Sequence, residues 1–191
     1  MMNYAEGMQQ LRGHREQIAT LRSKMRKLQT SIVPEPVDDY AFATCDRPVR
    51  LSSLFGDKDD LFIIHSMGAS CPYCTLWADG YNGIYHHLVN RAAFVVSSPD
   101  APEVQKRLAE NRGWRFPMVS HRGTSFAADM GYQSGQRLLP GLSVFQRRDG
   151  CLVRVSDSGS NPGDDFCALW HLFDLLPEGA EDWRPERVKV A

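Results

Sequence analysis

Apolar residues recur in heptad steps along the first part of the chain. Tyr4, Leu11, Ile18, Met25 and Ile32 share one position, and Leu21 and Leu28 share the other. Gly7 and His14 occupy two sites of that second series, so the seam is firm only from about Leu11. Arg12, Arg15, Arg22, Lys24, Arg26 and Lys27 lie between them, a basic face whose first use is solvation. The pattern predicts an amphipathic helix with its stripe laid on the main domain or on a second chain. Pro34 and Pro36 end it, because proline lacks the N–H that a helix interior needs.

Beyond the prolines the periodicity changes. Tyr40 to Gly56 reads as two short strands about a Cys45-Asp46-Arg47-Pro48 turn, with Ser52 and Ser53 able to start a helical turn. "LFIIHS" (Leu61 to Ser66) and "AAFVVS" (Ala92 to Ser97) are continuous apolar runs, the mark of strands covered on both faces. Between them Trp77, Gly80, Tyr81, Ile84 and Leu88 repeat at helical spacing, and Gly80 and Gly83 suggest close packing against a neighbour. A helix follows from Ser98 to Gly113, then an extended "WRFPMVS" held so by Pro117. Gly123 to Leu139 is Gly-rich and irregular, with a helical turn around Phe126 to Met130. "GLSVFQRRDGCLVRVSD" predicts a hairpin, and "DDFCALWHLFDLLP" a last helix capped by Asp164 or Asp165. The order is β-α-β-α-β-β-α behind a hairpin and a long helix: an α/β fold with a central mixed sheet and helices on both faces. The expected divisions are a helical extension and linker over 1–36, a domain over 37–178 and a polar tail over 179–191.

The 191 residues allow one well-packed domain plus an extension. A formal net charge of -1 speaks against a nucleic-acid or membrane partner recruited by bulk charge. The first residues lack the apolar core of a signal peptide and no run approaches a membrane span, so the expected location is the cytoplasm. Five cysteines, irregularly spaced, do not make a secreted disulfide framework, and in a reducing compartment a close pair points to catalysis or metal binding.

That close pair is Cys71 and Cys74, at the junction of the Leu61–Ser66 strand with the following helix. Pro72 suits the first helical position. Cys71 then sits at the helix N-terminus, where free N–H groups and the macrodipole favour a thiolate, and Cys74 lies one turn on, within reach of a disulfide. An exposed nucleophile beside a shielded resolving thiol is what dithiol–disulfide exchange requires. A metal site would need further ligands. His65, His86, His87 and His121 are available, but no second Cys-x-x-Cys or spaced His pair accompanies them, so no metal and no other cofactor is expected. Two inert buried thiols are the remaining reading.

Strand–Cys71-Pro72-Tyr73-Cys74–helix resembles the thioredoxin superfamily, and "LPGLSVFQRRDG" is similar to its proline-opened strand, with Pro140, Phe145 and Gly150. More narrowly, "VDDYAF", "LSSLFG", "LFIIHSMG", "CPYC", "RGWRFPMVS" and "GLSVF" resemble the bacterial thioredoxin-like family catalogued as domain of unknown function 899. The resemblance implies a thioredoxin-like fold and a thiol–disulfide oxidoreductase, Cys71 attacking and Cys74 resolving. It implies a cis peptide before Pro140, and a substrate groove formed by Pro72, Tyr73, Leu139 and Pro140 for a protein or small-molecule disulfide. His65 stands where thioredoxins place a buried acid, which makes it a candidate general base for Cys74. The segment order also resembles peroxiredoxins, which place Pro seven and Thr three residues before the reactive cysteine. Here Ile64 and Gly68 precede Cys71 at those distances, and Met67 and Cys71 precede Cys74. Thiol peroxidase is therefore the alternative, with a non-catalytic binding module behind it. Trp77 is expected in the core, Tyr73 at a partner surface, and Cys45, Cys151 and Cys167 as small buried hydrophobes. The heptad helix is expected to support a homodimer.

Overall fold

The computed structural model describes residues 2–186. It divides into two compact units, Met1–Pro34 and Glu35–Ala191. The first is a single helix, α1 (Tyr4–Ser31), opened by a capping box in which Asn3 and Glu6 satisfy each other's backbone N–H. No α1 residue is buried, and Leu11, Ile18, Leu21, Met25 and Leu28 of the heptad stripe are all exposed.

The second unit runs β1 (Glu35–Pro36), β2 (Ala41–Phe42), β3 (Val49–Arg50), β4 (Asp60–His65), α2 (Pro72–Arg91), β5 (Ala93–Ser98), α3 (Pro102–Arg112) and β6 (Met118–Ser120). It continues with α4 (Phe126–Asp129), β7 (Gln133–Ser134), β8 (Arg137–Leu138), β9 (Gly141–Arg148), β10 (Cys151–Gly159) and α5 (Ala168–Phe173). Six strands form a mixed sheet in the order β1-β10-β9-β4-β5-β6, with β4, β5 and β6 parallel and the rest antiparallel. Residues 35 and 36 are thus sheet rather than linker, because β1 pairs with β10.

Strand alternation sends β4 side chains to two separate cores. Leu61 and Ile63 join Phe42, Phe55, Phe126 and Phe145 on one face. Ile64 joins Trp77, Tyr81, Phe94 and Trp170 on the other, the face covered by α2 and α5. Each core is closed by large, almost fully buried rings, and burying one such side chain stabilises the fold by about 2–3 kcal/mol.

Three expectations need correction. An added Cβ at Gly80 or Gly83 would meet nothing within 4 Å, so neither glycine marks a close approach. The last helix begins at Ala168 with Cys167 as its cap. Asp164 instead accepts from the backbone N–H groups of Asn161 and Phe166 and from the Trp77 indole, which stabilises a turn ahead of the helix. The tail is not simply polar either: Trp183 packs edge-on against Phe173 and Trp170, with centroids 5.0 and 5.8 Å apart. Among the described residues no helix is long and apolar enough to cross a membrane.

Candidate active site

Cys71 caps α2. The N–H of Cys74 donates to its Sγ at 3.0 Å, in the place where a serine or aspartate oxygen usually sits, and Pro72 follows at the first helical position. The N–H of Met67 in turn donates to Cys74 Sγ at 3.4 Å. No disulfide joins the two sulfurs. Cys71 is pushed down to about 7: Cys74 S–H donates to its sulfur, burial opposes, and the N–H groups of Cys74 and Tyr73 add to the lowering. Cys74 is pushed far up, because it donates to Cys71, is buried, and faces the developing Cys71 charge. The Ser66 hydroxyl and the Met67 N–H only partly offset that.

The expected contrast between an open and a shielded thiol is not what distinguishes them. Cys71 is 7% and Cys74 8% exposed, so the inequality is electrostatic rather than steric. The hydrogen bond from Cys74 to Cys71 supplies most of it, and the first-turn N–H groups of Cys74 and Tyr73 add to the lowering at Cys71.

The loop that presents Cys71 is held by Asp100, a residue the sequence reading passed over. Its Oδ2 accepts from the Ala69 N–H at 2.8 Å and from the Ser98 hydroxyl at 3.2 Å. Gly68 lies against it at φ 102°, and a Cβ there would come within 3.0 Å of both carboxylate oxygens. Asp100, Ser98, Ser66 and Cys74 share the lining of a cavity of about 10 Å³, the size of one water molecule. The sequence signal was present: "SSPD" ends a parallel strand beside the strand that feeds the cysteine pair, and such strand ends form sites.

His65 is not the partner of Cys74. It alternates to the opposite face of the sheet, where its ring stacks on Tyr132 (3.9 Å between centroids) and Phe126 (5.3 Å). Nε2 lies 2.9 Å from Ser143 Oγ, and Nδ1 has no hydrogen-bond partner among the described residues. Burial holds its pKa down to about 3, with His121 and Arg154 adding to the effect, so the imidazole is neutral. Leu139 and Pro140 line a groove with Tyr132, Arg154 and Asp157 to which neither cysteine contributes. The expected cis bond is absent: no described peptide bond is cis, and the Leu139 N–H and Pro140 carbonyl are engaged by Tyr132 O and Ser160 N.

Trp77 is buried in the core and Tyr73 is half-buried, stacked towards Trp170 at 6.3 Å. Cys167 is buried as expected, whereas Cys45 and Cys151 are exposed. Among the described residues no group of three or more His, Cys, Asp or Glu is placed to hold a metal ion.

Solved structures share this architecture. Peroxidoxin BcpB from Mycobacterium tuberculosis is 24% identical, over 71% of this chain and 88% of that one, with a TM-score of 0.58. Reduced Prx3 from Vibrio vulnificus is 16% identical, over 70% and 90% of the two chains, with a TM-score of 0.56. Xanthomonas campestris peroxiredoxin Q is 14% identical, over 63% and 80%, with a TM-score of 0.54. At these identities the likeness establishes a thioredoxin-like fold. None of the curated proteins matches. The family described as "Bacterial protein of unknown function (DUF899)" matches residues 5–189, nearly the whole sequence, and the chain belongs to it.

Proposed function

We propose that the protein is a thiol–disulfide oxidoreductase. The observation that carries this reading is the opposite displacement of two adjacent thiols, Cys71 down to about 7 and Cys74 up. Near neutral pH about half of Cys71 is thiolate, close to the optimum for an attacking sulfur. The Cys71 thiolate attacks one sulfur of a substrate disulfide, forming a mixed disulfide and expelling the other half as a thiolate. Cys74 then loses its proton and attacks Cys71 Sγ. The Cys71–Cys74 disulfide forms and the second substrate thiol departs, so two electrons pass to the substrate. Consumption of the Cys71 charge in the first step removes the main cause that holds the Cys74 proton, and we assign its acceptance to Asp100, which lines the same small cavity as Cys74. An external thiol or dithiol returns the protein to its reduced form. The reducing cytoplasm is the compartment that suits this cycle.

The test is trapping. Cys74→Ser should accumulate mixed disulfides, because Cys71 attacks and nothing resolves the adduct, whereas Cys71→Ser should trap little. Capture by neither variant would defeat the reading. Oxidation of Cys71 by hydrogen peroxide much faster than its exchange with disulfides would favour a thiol peroxidase instead. For assembly, the exposed α1 stripe supports a homodimer, since an isolated helix is marginal in water. A sedimentation mass equal to one chain, both for the full-length protein and after deleting residues 1–32, would rule that out.

A further inference from the structure

Tyr73 lies between the two cysteines in sequence, and its ring opens a string of aromatic contacts. It faces Trp170 at 6.3 Å with 27° between planes. Trp170 meets Trp183 edge-on at 5.8 Å. These three rings line an open groove of about 350 Å³. Among the described residues the charged part of its lining is unbalanced: Asp174, Glu181 and Asp182 against Arg184. Glu181 is held at φ 40°, a left-handed conformation that a residue with a Cβ keeps only when its surroundings impose it. Trp170 is 5% exposed, and its indole N–H finds no acceptor among the described residues. Trp183 keeps 40% of its surface in solvent, beside that buried indole.

We propose that this groove selects the dithiol's substrate, and that it takes an extended polypeptide carrying lysine or arginine within a few residues of the disulfide cysteine. The proposal rests on the oxidoreductase reading above. Two features of the groove point to a cation. Aromatic faces attract ammonium and guanidinium groups through the ring quadrupole, most strongly at tryptophan. The surplus of carboxylates adds Coulomb attraction and repels acidic chains. Tyr73, which lines the groove, is two residues from Cys71 in sequence, so a chain lying in it passes near the dithiol although neither cysteine is part of the lining. An apolar ligand would leave three carboxylates partly desolvated with Arg184 as their one cation among the described residues, and an acidic one would meet net repulsion.

The experiment uses the reduced full-length protein and two cysteine-containing hexapeptides activated as mixed disulfides with thionitrobenzoate. They differ only in flanking lysines or flanking glutamates. Thionitrobenzoate release should be about tenfold faster with the lysine peptide at low salt, and the ratio should shrink as salt rises. The Asp174→Asn/Glu181→Gln double variant should bring the ratio close to one. Equal rates with the two peptides, or an undiminished ratio in the double variant, would overturn the proposal. A second measurement reads the groove without the thiols. In Cys71→Ser, tryptophan fluorescence titrated with a cysteine-free lysine peptide should change and saturate, and absence of saturation would overturn the proposal. If that peptide binds while both activated peptides react only as fast as with a free thiol in solution, the groove stands and the oxidoreductase reading falls.

Discussion

Two buried titratable clusters lie on opposite faces of the same sheet, and their chemistry diverges. On the α2 face, Cys71 is 7% exposed and yet pushed down to about 7. On the other face, His65 is 2% exposed and also pushed down, to about 3, which for an imidazole means locked in the neutral form. Burial works against charge in both. The thiolate is nonetheless favoured because three donors converge on it: the Cys74 thiol and the N–H groups of Cys74 and Tyr73. The imidazolium has no acceptor to match, only the Ser143 hydroxyl and two stacked rings. Burial therefore does not decide reactivity; the hydrogen bonds offered to the charged form do.

The largest test removes the reactive side of that contrast. Cys71→Ser should lower disulfide exchange by on the order of 10³-fold or more, since a serine hydroxyl at neutral pH is not a nucleophile of comparable strength. Thionitrobenzoate release would measure it, and residual activity within tenfold would place the chemistry elsewhere. Next comes the inert side. A Cβ at Gly141 would run into the Tyr132 ring and Ser158 O, so Gly141→Ala should displace the ring that stacks on His65. The expected loss is about 2–3 kcal/mol in denaturant unfolding, while the Cys71 titration stays in place.

Acid should act on the inert face before the reactive one. His65 and His121 are depressed to about 3 and about 4, so the folded protein leaves them unprotonated where the unfolded chain binds protons below about 6.5. Their contribution is therefore fully present above pH 6.5 and lost as pH falls toward 4, at about 1.4 kcal/mol per pH unit for each histidine. Urea unfolding between pH 7 and 4.5 measures the slope, and His65→Gln should flatten it by about half. A flat profile in the native protein would mean that the histidines are not held neutral. The smallest effect is on Cys71 itself. The pH profile of its alkylation should inflect near 7, and Cys74→Ala should move that inflection upward by about one unit through loss of a thiol donor.

The α/β order, the buried β4 and β5 runs, the β9–β10 hairpin and the Cys71 cap were all legible in the sequence. Each rests on a local rule: continuous apolar runs, Asp149-Gly150 at a turn, or Pro72 after Cys71. What the sequence did not carry was which face each group would occupy across the sheet. His65 is six residues before Cys71, yet strand parity sends it away from α2, whereas Asp100, from the neighbouring strand, reaches the loop at Ala69. The sequence order of Cys45 and Cys151 likewise said nothing of their exposure, because both lie at turns rather than inside strand cores. The two-strand pairing of β7 with β8 was missed in a stretch whose glycines read as irregular.

The low exposure of Cys71 has a kinetic meaning. A reagent that can reach sulfur only after the surrounding loop opens reports the product of an opening equilibrium and an intrinsic rate. Small and bulky alkylating agents should then give the same inflection near 7 but different plateau rates, and the ratio of the plateaus is a measure of how often the thiolate is uncovered.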